Sequence, residues 1–145
     1  MIDTSVLIDY INARSPYRAK AARLLEEAAT GRLKLYVNTV TLSETLYVAS
    51  RVYQAAGIAD PNGRALDFVE WVKGRARVID IDEDIALRAG ELKKELGIAL
   101  PDCYVIATAE AVGGTPLFRR LEREMEPVLE SLRALGVKFL SEEEL

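Results

Sequence analysis

Histidine is absent from all 145 residues, and cysteine and tryptophan each occur once. Without histidine the chain has no Ser-His-Asp or Cys-His nucleophilic site, no His-ligated zinc and no histidine general acid–base pair. Cys103, being alone, forms no internal disulfide, so nothing calls for an oxidising compartment. No apolar run approaches the ~20 residues needed to cross a bilayer. Met1 leads straight into the segment around Asp3, with no secretory signal in view. These absences read as a cytoplasmic protein with no membrane partner. Whatever chemistry it performs must rest on carboxylates, Lys, Arg, hydroxyls or a bound metal.

What is present describes a globular domain. The chain is 50% hydrophobic and 29% charged, unlike a disordered segment. Its length predicts one domain, residues 1–145, able to bury roughly two thirds of the unfolded surface. The net charge of −4 gives no global case for nucleic-acid binding. One local basic cluster, Arg119, Arg120 and Arg123, reads either as a solvated helix face or as a contact for an RNA backbone.

Apolar β-type runs alternate with longer amphipathic stretches, which predicts an α/β domain built on a mainly parallel sheet. The candidate strands are Met1–Asp3, Leu33–Val37, Arg77–Ile81, Thr115–Phe118 and Val137–Leu140. Helices are predicted at Ser5–Asn12, Arg18–Ala29, Thr41–Ala56, Pro61–Lys73, Asp84–Leu96, Pro101–Val112 and Pro127–Leu135, several of them stopped by a glycine. The Thr41–Ala56 helix, with Tyr47 and Tyr53, is a candidate partner surface together with Pro61–Lys73 and Trp71; ordinary core packing explains the same pattern.

Three single carboxylates stand at predicted helix starts among apolar neighbours: Asp3, Glu44 and Asp102. Each has a structural explanation of its own. Asp3 suits an N-cap, Thr41 and Glu44 match a capping box, and Asp102 follows Pro101 in a first helical turn, where the dipole favours an acid. Together they say more. In a parallel α/β sheet the strand-to-helix turns share one edge, and ligands bind there. Asp3 and Glu44 belong on that edge. Carboxylates crowded at about 4 Å repel by roughly 4 kcal/mol at an effective dielectric near 20, a cost that a divalent cation reverses. Oxygen-only ligands suit Mg²⁺ or Mn²⁺. Asp9 reads as a residue supporting the site from behind or, in preference, as an exposed polar position on the first helix, and Cys103 as a small buried hydrophobe.

The order Asp3-Thr4-Ser5-Val6-Leu7-Ile8, then Ser43-Glu44, then Leu100-Pro101-Asp102-Cys103-Tyr104-Val105-Ile106-Ala107-Thr108-Ala109 resembles the PIN-domain nucleases over essentially the whole chain. It is most similar to the toxins of VapBC toxin–antitoxin systems, in an archaeal style. The resemblance implies a five-stranded parallel sheet sandwiched by helices in three layers. It also implies an acidic Mg²⁺ or Mn²⁺ site that cleaves RNA, a homodimer, and a cognate antitoxin that covers the groove. By position, Asp3, Glu44 and Asp102 become the metal-site acids, with Thr4 or Ser5 supporting them and Thr4 preferred. The chain departs from the family pattern at the fourth acid, where Glu122 is the best match and Glu124 the second. That departure leaves a catalytically silent PIN-like scaffold as the alternative. A haloacid-dehalogenase-like phosphatase wants a second aspartate where Ser5 stands, and a receiver-like phosphoacceptor wants a lysine with no clear counterpart.

Overall fold

The structure, a computed structural model, describes residues 1–145. Its elements run α1 (Thr4–Ile11), α2 (Arg18–Ala29), β1 (Tyr36–Asn38), α3 (Thr39–Ala55), α4 (Pro61–Lys73), β2 (Arg77–Ile79), α5 (Glu83–Leu96), α6 (Leu100–Val112), β3 (Leu117–Phe118), α7 (Leu129–Ala134) and β4 (Lys138–Phe139). Short 3₁₀ turns cover Arg123–Val128 and Leu140–Glu142. The single predicted helix from Pro127 is therefore a 3₁₀ turn followed by a six-residue helix. Pro127 lies inside the turn and has no amide to donate to a continuous α-helical ladder.

The expected five-stranded sheet is seen only in part. Two parallel pairs form, β1 with β2 and β3 with β4, each only two or three residues long. The segment Met1–Asp3 is not a full strand. It lies between the pairs, with Ile2 bridged in parallel to Leu117 and its amide donating to the Tyr36 carbonyl at 3.1 Å. Pro116 offers no amide to a ladder on the approach to β3.

Helices pack against both faces of these strands, and the alternation of side chains along extended backbone explains how. Met1, Phe118 and Phe139 face α5 and α6, joining Ile85, Leu92, Val105 and Ile106 in one apolar cluster. Ile2, Val37 and Leu140 face the opposite way, joining Val6, Leu7, Leu25, Phe68 and Val72 from α1, α2 and α4. Successive residues such as Met1 and Ile2, or Phe139 and Leu140, thus feed different cores. The arrangement fixes where α1, α3 and α6 begin: Asp3 caps α1, Asp102 lies in the first turn of α6, and Glu44 lies in the second turn of α3.

Candidate functional site

Asp3 ends the first extended segment and caps α1, accepting a bond from the Ser5 amide at 3.1 Å. The Ser5 hydroxyl donates to the same oxygen at 2.6 Å. Asp3 is only 9% exposed. Burial pushes its carboxyl up from the ordinary range, the Ser5 bonds oppose that, and the charge of Glu122 adds to it.

Glu44 reaches the same edge by a different route from the one the sequence indicated. The N-cap of α3 is Asn38, not Thr41: the Asn38 side-chain oxygen accepts from the Thr41 amide at 2.7 Å. The capping-box expectation therefore fails. The helix starts two residues earlier, which puts Glu44 beyond its first turn and frees its carboxylate from a capping role. The Thr4 hydroxyl donates to Glu44 at 3.3 Å instead. Burial raises the Glu44 carboxyl, and the nearby charge of Asp3 raises it further.

Asp102 arrives through the short connection between α5 and α6, not from a strand. Gly97 turns the chain in the left-handed region at φ 71°, and α6 starts at Leu100 with Asp102 in its first turn. Burial pushes the Asp102 carboxyl up to about 7, reinforced in turn by the charges of Asp3, Glu124, Glu44 and Glu122. Five acids from four parts of the chain thus share one electrostatic neighbourhood.

The fourth-acid candidates differ in their surroundings. Glu122 is half exposed, pairs with Arg120 at 3.5 Å and acts on both Asp3 and Asp102. Glu124 accepts from the Ala99 amide at 3.4 Å, just before α6, and acts on Asp102.

Hard carboxylate oxygens dominate the donor set. The neighbouring Cys103 thiol is buried and pushed up to about 11, so it stays protonated. This chemistry fits Mg²⁺ or Mn²⁺, ions that retain several waters beside one or two carboxylates. No three of the acids stand close enough to grip one ion directly.

Sequence reasoning missed Asn38. It is fully buried, and its amide donates to the Tyr104 carbonyl at 3.3 Å and the Thr108 hydroxyl at 3.1 Å. One side chain therefore caps the helix bearing Glu44 and bolts it to the helix bearing Asp102. A polar residue closing an apolar strand ahead of a helix was the available signal.

Two further expectations change. Asp9 is not exposed but 2% accessible, accepting from Ser15 at 2.7 Å. Arg119, offered as an RNA contact, lies with Nε 3.1 Å from Asp9, although poorly aligned for a hydrogen bond, and its guanidinium sits over the Tyr17 ring. A buried acid favours a cation nearby, so Arg119 is engaged by Asp9 while 28% of its side chain stays exposed. Arg120 is paired with Glu122, while Arg123 is exposed and forms no ion pair.

A family model described as the PIN domain matches residues 1–126. A search of curated proteins finds no match. Solved structures share the fold at low identity. A toxin–antitoxin complex from Klebsiella pneumoniae is 22% identical with a TM-score of 0.64, covering 99% of this chain and 98% of the other. VapBC2 from Rickettsia felis, bound to a DNA fragment from its promoter, is 17% identical with a TM-score of 0.68 and 96% coverage of both chains. VapBC-1 from nontypeable Haemophilus influenzae is 15% identical with a TM-score of 0.64 and 98% coverage of both.

Proposed function

Because this chain belongs to the PIN domain family, we propose that it is a Mg²⁺- or Mn²⁺-dependent endoribonuclease, the toxin of a toxin–antitoxin pair. The observation that carries this reading is the convergence of Asp3, Glu44 and Asp102, whose carboxyls are all raised and whose charges act on one another. Buried acids held together without a cation are costly, and perturbed groups of this kind concentrate at functional sites.

In this reading Asp3, Glu44 and Asp102 hold the ion, with Glu122 as a fourth acid. A bound divalent ion supplies Lewis-acid stabilisation of phosphate charge and lowers the pKa of bound water. The protein's own contribution is placement. Ser5 fixes one oxygen of Asp3 and leaves the other free, Thr4 orients Glu44, and Asn38 holds α3 against α6. Arg123 and the more loosely paired Arg120 remain available to the RNA backbone, whereas Arg119 does not.

The partner protein follows from the toxin–antitoxin and VapBC relatives, whose structures contain such complexes. A homodimer is proposed through the α3 and α4 side, where Tyr47 is 62% exposed and Leu66 47%. The second reading, a silent binding module, draws on the spacing of the acids and on the half-exposed Glu122.

Incubating the wild-type protein with a mixed-sequence single-stranded RNA tests the reading. Cutting with Mn²⁺ or Mg²⁺ and none with EDTA is expected. A parallel thermal melt should show Mn²⁺ raising Tm, because an ion that binds only the folded state stabilises it by mass action. A folded protein that neither cuts RNA nor responds to millimolar Mn²⁺ would favour the silent module.

A further inference from the structure

The acids lie where the first segment and β1 lead into α1 and α3. At the opposite ends of β1 and β2 is a groove of about 390 Å³. Lys34, Arg75 and Arg77 line it, and no carboxylate does. None of these three cations forms an ion pair, although the protein is acidic overall.

Arg75 is set in place before any ligand arrives. Its guanidinium carbon lies 3.7 Å from the centre of the Trp71 ring, and Nη1 donates to the Trp71 carbonyl at 3.2 Å. A planar donor fork immobilised in this way loses little entropy when its remaining N–H groups engage an oxyanion. Lys34 and Arg77 are exposed and add charge on either side. The end of α2 borders the groove, where free carbonyls would repel an anion. The amides of Thr30, Gly31 and Arg32 already occupy the carbonyls of Glu26, Ala28 and Glu27.

The groove also continues. Lys34 and Tyr36 line a second, largely apolar cavity of about 320 Å³ that reaches Lys138 and carries Glu27 and Glu143 as well. Within the first groove, three cations without a carboxylate suit the successive phosphates of a strand better than one small anion. We propose that this groove binds the phosphodiester backbone of a single-stranded RNA, as a second contact remote from the acids. The identity of the polyanion rests on the ribonuclease reading above.

The test is fluorescence anisotropy with a labelled mixed-sequence single-stranded RNA in EDTA, across a salt series. The wild type is compared with the double variant Lys34→Gln, Arg77→Gln; both side chains are exposed, and folding is checked by circular dichroism. The expected result is several-fold weaker binding at low salt. The slope of log K against log salt should fall by about 0.7 per lost phosphate contact, about 1.4 in all. Unchanged affinity and slope overturn the proposal. AMP is titrated calorimetrically in parallel. AMP binding that the double variant loses, with RNA binding unchanged, would assign the groove to a free nucleotide and also overturn it. Binding is read without metal, so a protein that cuts no RNA yet shows the slope change loses the nuclease reading and keeps the groove.

Discussion

Asp102 concentrates the electrostatic problem of this protein in one residue. Its carboxyl is held at about 7 against an ordinary 3.8, chiefly by burial and then by the neighbouring acids. The raised value fixes the sign of a pH effect. Below pH about 4 both folded and unfolded chains carry the proton. Between about 4 and 7 the folded chain retains a proton that the unfolded chain has released, so raising the pH costs stability. The loss is about 1.4 kcal/mol per pH unit, a few kcal/mol at most over the window, since Asp102 keeps some contact with solvent. In EDTA, Asp102→Asn should therefore melt higher than the wild type at pH 7.5, and the gap should narrow towards pH 4. A gap that widens on acidification would mean that Asp102 is stabilised by its surroundings. Arg119 makes the converse case. Arg119→Gln leaves Asp9 buried without its cation, and a drop of up to about 3 kcal/mol by chemical denaturation is expected, the low end for a broken buried pair. Arg123→Gln should leave stability unchanged and weaken RNA binding. The reverse assignment of effects would restore Arg119 to the RNA surface.

At the scale of elements, the site depends on how α3 and α6 are joined. Asn38→Ala removes the cap of α3 and both bonds to α6, and about 2–3 kcal/mol should be lost. A loss under about 0.5 kcal/mol, the range of an ordinary surface change, would show that the joint is carried elsewhere. The sequence showed the helices plainly, because glycines and prolines punctuate them and their apolar faces repeat. Arg18–Ala29 and Pro61–Lys73 are found as expected. Strands were less legible. Two-residue ladders such as Leu117–Phe118 are defined by the partner strand, not by their own pattern. The three site acids were visible as isolated carboxylates in apolar runs. Asn38 was not, because Thr41 and Glu44 offered a capping box that fits the sequence equally well. The burial of Asp9 and its pairing with Arg119 were not legible for a related reason: the two meet across 110 positions, a separation that no local pattern reports.

At the scale of the whole molecule, the fold gives its two strand edges different charge. One edge gathers Asp3 and Asp102 at the starts of α1 and α6 and Glu44 in the second turn of α3, and the other carries Lys34, Arg75 and Arg77. The helices that cover the strands leave the basic end open as a groove of about 390 Å³. The central claim is that the acidic edge cuts RNA with a divalent ion. The most direct test is the cleavage rate of a single-stranded RNA under saturating Mn²⁺, by the wild type and by Asp102→Asn purified in parallel and shown to be folded. The account predicts metal-dependent cleavage by the wild type and a loss of about 10²-fold or more in the variant. Equal rates in the two proteins would contradict it.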